Sequence, residues 1–598
     1  MKKRLLSWLL LLAMLLSLLP AAAFAEGGTE APPVCTCKTA CTAESRNTDC
    51  PVCGAEGARP EDCTRYTVEQ VEGPEAASTP DLQLAGGEIS VQAEHTHCIC
   101  GGSVTAGNHT SHEDVTYTAW NGTDNIAYTN NIAYVYLTGN ATISSDLIVD
   151  GRTLYLCLNG KRLSSSGKVK LKVRNNARLV LCDCQGGGSI KGVTSGWGGG
   201  CVYLYESTLD LFSGTLTGAK VKRGGGVALN DANCTLNLYG GSISGNTATQ
   251  RGGGVYMLNG GAVNLYGGSI SNNTASGTGT NGFGGGISLE AGSGSINLYG
   301  GAISNNTAKG VYGGGIYLNS AGTITITGGE ISGNKLTNTG DGGGICLNKT
   351  GAKLEMSGGS IKNNSASVGG GIDFANGGTF TMSGGEISGN TSSGNGGGIL
   401  IVENASVTMT ITGGKISGNK AGSIGGGLLL KNSSSTLNLS GAPVIKDNTG
   451  AGKASNIYLP SGKTLNISSA ISSGASIGVT TADTNYPVVF SNAYDENYTA
   501  YFLADDAANA HVEYNSDKKL QLAAGAQAQK YTVTVTTENS GTAQTAPASA
   551  AAGETVALTA TPNDGYHFKA WEVLSGNVVI TDNGFAVPAE NVSHQGNF

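Results

Sequence analysis

Three consecutive glycines recur through the middle of the chain, beginning at Gly198, Gly224, Gly252, Gly284, Gly313, Gly342, Gly369, Gly396 and Gly425. They stand 26 to 32 residues apart, a period that signals a solenoid of stacked supersecondary units. Helical repeats of similar length exist, so the pattern inside each unit has to decide the fold class. After each triplet comes an apolar pair two residues apart, for example Val255 with Met257, Ile316 with Leu318 and Ile345 with Leu347. A second such pair follows, as in Val263 with Leu265, Ile324 with Ile326 and Leu354 with Met356. Then comes a lone aliphatic, Ile243, Ile270, Ile303, Ile331, Ile361, Ile387, Ile416 or Ile445. Alternation at period two is a strand signal, and no 3.6-residue period accompanies it.

Three short strands per unit joined by glycine corners predict an all-β parallel β-helix, in which each coil pairs with those above and below. Equivalent residues would then stack about 4.8 Å apart. That stacking accounts for the glycines, because a corner repeated in every coil needs positive φ and close backbone approach. It also accounts for an asparagine three residues beyond each lone aliphatic: Asn246, Asn273, Asn306, Asn334, Asn364, Asn390, Asn419 and Asn448. Stacked amides can hydrogen-bond along the axis as a ladder. The regular repeats cover about 198–450, and less regular coils and caps extend the solenoid to 116–525.

Composition excludes some classes. Only 13% of the 598 residues are charged and the formal net charge is −8, which argues against a basic nucleic-acid binder. Hydrophobic residues make up 39%, too many and too regularly placed for a disordered chain. Residues 1–25 combine a basic start, a leucine-rich stretch and Ala23-Phe24-Ala25, the pattern of a cleaved secretory signal. No later apolar run is long enough to span a bilayer.

The alternation of "GGGI" or "GGGV" with "ISGN" or "ISNN" resembles the repeats of chlamydial polymorphic membrane proteins. More closely, it resembles the adhesin-like right-handed β-helix proteins exported by anaerobic Firmicutes. The resemblance implies a secreted or cell-surface protein that binds an extracellular glycan or surface protein without catalysis, with a structural spacer or coat component as the nearest alternative and a polysaccharide lyase or glycosidase as a more distant one. After a short linker at 526–530, residues 531–598 carry "GETVALTATP" and Gly565-Tyr566-x-Phe568-x-x-Trp571. This module is similar to the divergent internalin-type B repeat, a β-rich unit of bacterial surface proteins. Its final stretch, "VSHQGNF", shows no strand-like alternation of apolar residues.

Residues 26–115 are rich in Cys and His. Disulfides are the default in an exported chain, whereas the Cys-x-x-Cys pair Cys50 and Cys53, with His97, Cys98, Cys100 and His109, could hold a structural zinc ion. No other cofactor is implied. Cys157 and Cys182 occupy matching strand positions and should stack in adjacent coils. Tyr239, Tyr266 and Tyr299 share a column just after the second strand and form either an aromatic binding face or a stabilising stack. Glu330 and Glu386 share another column with Ser360 between them, which places them about 9.6 Å apart, at the edge of the range for an inverting glycosidase.

Overall fold

A computed structural model describes residues 95–100 and 113–598, apart from 169, 495, 527 and 539. The segment 1–25 and the candidates Cys50, Cys53 and His109 lie outside the described residues. The chain winds as a parallel β-solenoid, and one coil shows why. In the unit that opens at Gly313, the first strand is Ile316–Leu318, the second Thr323–Ile326 and the third Glu330–Ser332. Each pairs in parallel and in register with its equivalents in the preceding and following coils. The apolar positions of these strands, Ile316, Leu318, Ile324, Ile326 and Ile331, are fully buried in one core that runs the length of the solenoid. Burying each such side chain contributes roughly 1.5–3 kcal/mol.

Two features depart from the three-strand expectation. A fourth strand of two residues, Lys335–Leu336 in this unit, follows each asparagine and forms a sheet of its own. It contributes a single inward residue, such as Ala275, Ala308 or Leu336, and these make a small separate core. One small residue per coil leaves no apolar period to read. The second departure concerns the first strand, where alternation would leave the middle residue to solvent. Tyr317 is buried instead, and it clusters with Phe283 and Cys346 and packs against Val311 and Tyr312. The chain approaching each glycine corner thus folds over the outside of the first-strand sheet. Asp373 occupies the same column, wholly buried, with neither carboxylate oxygen hydrogen-bonded.

The three corner glycines answer to two causes, a left-handed conformation at the first and contact with the next coil at the other two. Gly313 has φ +64°, a conformation that costs other residues about 1–2 kcal/mol. A Cβ on Gly314 would lie 2.3 Å from the carbonyl oxygen of Gly343 in the next coil. A Cβ on Gly315 would lie 2.6 Å from the Gly344 carbonyl oxygen of the next coil and 3.0 Å from the Asn334 amide. The asparagine corner has its own rule: the residue before the asparagine is left-handed whether it is Gly333 (φ +61°), Asn363 (φ +55°) or Asp447 (φ +59°). The "SGN", "KNN" and "KDN" variants are therefore conformational equivalents.

The asparagines themselves form an internal ladder. Nδ2 of Asn334 donates to Oδ1 of Asn364 at 3.0 Å and to the carbonyl of Ile303 at 2.8 Å, while the Asn334 backbone N–H donates to the same Oδ1 at 2.9 Å. This pattern repeats from Asn246 through Asn273, Asn306, Asn364, Asn390 and Asn419 to Asn448. Asn448 donates to Asn456, which donates to the carboxylate of Asp505. Asn334→Ala would strip the Asn306 N–H and Nδ2 of their shared acceptor. We expect it to destabilise the flanking coils by about 3 kcal/mol, read as faster amide exchange confined to the coils around Asn334.

Both ends of the solenoid are closed by antiparallel pairing. Strand β1 (His95–Cys98) pairs antiparallel with β2 (Asp114–Trp120), and β2 then runs parallel to β3 (Ile132–Leu137), so the second-strand sheet reaches back to His95, ahead of residue 116. At the other end Ser476–Thr481 pairs with both Val444–Lys446 and Ile457–Leu459, merging two faces. An antiparallel sheet of Val488–Ala493, Lys519–Ala524 and Ala510–Tyr514 follows. At the N-terminal end β1, only four residues long, is the last strand of its sheet among the described residues, and so short an edge offers little template for pairing with other chains.

The C-terminal module has a four-stranded and a three-stranded sheet around Val533, Val556, Leu558, Phe585 and Val592. Here the sequence expectation is corrected. Val592–Asn597 is a strand with strict alternation, in which Val592, His594 and Gly596 point inward. His594 is fully buried against the Phe585 ring at 4.6 Å, and an inward His and Gly hide the period from any reading based on apolar residues.

Candidate functional site on the outer face of the second-strand sheet

Alternation in the second strand sends every other side chain outward, and register stacks these side chains into columns. One column runs Tyr136, Cys157, Cys182, Phe212, Tyr239, Tyr266 and Tyr299, each directly after or at the end of its strand. Phe212 stacks on Tyr239 with centroids 4.5 Å apart, and Tyr239–Tyr266 and Tyr266–Tyr299 follow at 5.0 Å each, with rings within 12° of parallel. The rings occupy one another's faces, so edges and hydroxyls are what the column presents. Its exposure is graded: Phe212 is buried, Tyr239 and Tyr266 are half-buried, and Tyr299 is exposed.

A second column lies beside the first. Nδ2 of Asn297 donates to Asn264 at 2.8 Å, Asn264 to Asn237 at 2.8 Å, and Asn237 to Oδ1 of Asp210 at 2.7 Å. Asp210 is buried and takes its other bond from Arg178 Nε at 2.5 Å. The result is a flat polar strip of amides and phenols repeating with the coil spacing.

Toward the N-terminus the strip passes under a flap. Only Thr118–Trp120 of β2 pair with β3, while Asp114–Tyr117 pair with β1. This lets the hairpin bend back over the outer face. His95 stacks on Tyr136 at 4.0 Å and His97 on Tyr117 at 4.3 Å. Cys98, Cys100, Tyr117, Cys157, Val180, Cys182 and Phe212 form a small core between flap and sheet. Cys157 and Cys182 face each other in adjacent coils, and Cys98 and Cys100 have their sulfurs 2.7 Å apart. His97, a candidate from the sequence, is brought together not with Cys98 and Cys100 but with His95, Cys157 and Cys184. One ligand atom from each of these four lies within 4.8 Å of every other.

A hydrogen bond with Cys182 holds the Cys157 thiol well below its ordinary range; burial opposes this, and His97 and His95 add to it. Burial lowers the His97 pKa, but its bonds to Cys157 and the Cys98 carbonyl outweigh that and leave it raised. Burial pushes Cys184 up. Sequence reasoning passed over His95 and Cys184 as partners. The signal was available in "HTHC", whose two histidines share a strand face, and in "CDCQ", whose first cysteine aligns with Cys157.

Glu330 and Glu386 flank Ser360 in the third-strand sheet, two coil steps apart. Each engages a lysine of the following coil, Glu330 with Lys362 at 2.6 Å and Glu386 with Lys415 at 3.5 Å. Bonds from Lys362 and Ser332 hold the Glu330 carboxyl below its ordinary value.

Among the described residues no helix is long and apolar enough to cross a membrane. Comparison with known proteins returns no match among curated proteins and none among solved structures. A family model does match: residues 531–598 correspond to the Divergent InlB B-repeat domain, so the chain joins a repeat β-solenoid to a B-repeat module of that type.

Proposed function

We propose that this protein is secreted or held at a cell surface, where it binds an extracellular glycan or surface protein through the outer face of its second-strand sheet, without catalysis. The observation that carries the reading is the strip itself. Phenol edges at 5.0 Å intervals beside a row of amides offer a repeating hydrogen-bonding surface suited to a repeating partner, such as an extended polysaccharide. A shallow face of this kind binds through many weak contacts summed by multivalency. The B-repeat module, a type found in surface proteins, supports display outside the cell. The ion pairs of Glu330 with Lys362 and of Glu386 with Lys415 support the non-catalytic half, since each carboxylate is already engaged by a lysine of the next coil.

The test is an array of glycans and surface proteins probed with the full chain and with a Tyr239→Ala, Tyr266→Ala, Tyr299→Ala variant. We expect the variant to lose roughly tenfold or more in avidity with an unchanged circular-dichroism spectrum. Equal binding by both proteins would move the contact elsewhere. Absence of any binding would favour a structural spacer. Release of sugar fragments, abolished by Glu330→Gln or Glu386→Gln, would favour an enzyme.

A further inference from the structure

We infer that His95, His97, Cys157 and Cys184 form a tetrahedral binding site for one zinc ion that clamps the N-terminal flap onto the solenoid. Three features of the geometry support this. First, the donor set is two imidazoles and two thiols, the combination that selects zinc over harder cations. Second, the four donor atoms lie within 4.8 Å of one another, and three of their six separations come close to tetrahedral values. Zinc–nitrogen bonds of about 2.0–2.1 Å and zinc–sulfur bonds of about 2.3 Å put tetrahedral donors roughly 3.3–3.8 Å from one another. The two Nε2 atoms lie 3.2 Å apart, Cys157 Sγ and Cys184 Sγ 3.4 Å apart, and Cys184 Sγ is 3.4 Å from His95 Nε2. Third, the site is preorganised. His97 Nδ1 donates to the Cys98 carbonyl at 2.6 Å, which turns the Nε2 lone pair toward the cluster, as in ligated histidines whose second nitrogen is held by an outer partner. The His95 and His97 rings are each stacked on a tyrosine.

The connectivity gives the ion its role. Two ligands come from β1, the third is Cys157 at the end of Thr153–Cys157, and the fourth is Cys184, two residues beyond the end of Arg178–Cys182. One ion would therefore join the flap to two successive coils and fix the cover over the aromatic end of the strip. The inference does not depend on the outer face binding any partner.

The experiment uses the full chain, reduced and reconstituted with zinc or, as a spectroscopic probe, cobalt. Two variants are compared with it: Cys157→Ser with Cys184→Ser, and a second in which Cys35, Cys37, Cys41, Cys50, Cys53 and Cys63 are all changed to Ser. We expect the wild type to show tetrahedral cobalt bands with thiolate-to-metal charge transfer. The first variant should lose them together with one equivalent of zinc, and the second should keep them. His95→Ala, which leaves the solenoid strands intact, should weaken zinc binding by more than the roughly 10–100-fold typical of outer-sphere changes. Chelation should speed amide exchange in 95–98 and 114–117 while leaving the coils beyond Gly198 unchanged. Charge-transfer bands that survive in the first variant or disappear in the second would overturn the site. So would a reduced wild type with no such bands, or a Cys157–Cys184 disulfide found in the native protein.

Discussion

Gly314→Ala is expected to be among the most damaging single-methyl changes in the molecule, costing about 3 kcal/mol or more. The added Cβ would stand 2.3 Å from the Gly343 oxygen and 2.7 Å from the Lys335 carbonyl carbon. Both are backbone atoms, so no side chain can rotate away. Relief requires the coils to separate, which breaks the Gly314 N–H bond to Gly342 and the Gly315 N–H bond to Gly343, now 2.9 and 3.1 Å. Gly279→Ala is the matched control. It has φ +60° but nothing within 4 Å of a Cβ, and should cost only the left-handed penalty of about 1–2 kcal/mol. Amide exchange would separate the two, with opening around coils 313–371 in the first and around the 276–283 loop alone in the second. Equal effects would mean that the clash with the next coil at Gly314 costs no more than a left-handed alanine in an open loop, and that coil contact is not what requires glycine there.

Asp373→Leu should act in the opposite direction, stabilising the protein by about 1–3 kcal/mol at neutral pH. Leu400 and Leu429 already occupy the same column in the next two coils, so the space suits that side chain. Asp373 is wholly buried without a hydrogen-bond partner. Burial, and then the nearby Asp341, raise its pKa well above the ordinary 3.8. A raised carboxyl pKa means that the folded state holds the proton more tightly than the unfolded state. Its stabilising share is complete below the unfolded value and is lost as pH rises through the folded one. The variant's advantage should therefore be largest near neutrality and shrink as pH falls toward about 4. Urea midpoints for both proteins across that range would check this, and a pH-independent difference would show that packing, not ionisation, is responsible.

What could be read in the sequence follows from which interactions repeat. Stacking makes each coil restate the same constraint, so Ile331, its equivalents and the corner glycines stand out as columns even in a single sequence. The fourth strand did not, because Ala308 and Leu336 contribute one inward residue per coil. The buried middle of the first strand did not either, because Tyr317, Cys346 and Asp373 have no chemistry in common; what buries them is a loop of variable sequence. The histidine–cysteine cluster was half legible. Alignment placed Cys157 beside Cys182, but bringing His95 to Cys184 needs a hairpin that doubles back across the sheet, and no periodicity records that fold. In the C-terminal module, His594 takes an inward position that pattern reading reserves for aliphatics.

The internal amide ladder and the outer one beside the tyrosines run in opposite directions, and both stop at an aspartate. The internal one passes its hydrogen bonds from Asn246 toward Asp505, whose carboxyl also receives Thr480 Oγ1 at 2.6 Å. The outer one passes them from Asn297 back to Asp210. An asparagine can receive a bond and hand one on; a carboxylate engaged by donors on both oxygens can only receive. Each aspartate is thus a chemical full stop for its own ladder, while the second-strand sheet itself continues past Asp210 through Arg178–Cys182 and Thr153–Cys157. Duplicating a coil between Asn246 and Asn448 would lengthen the rod without changing how it ends. An Asp505→Asn change would set an amide nitrogen against donors that now point at the carboxylate, the Asn456 N–H and Nδ2 and Thr480 Oγ1, and so would loosen the end of the internal ladder.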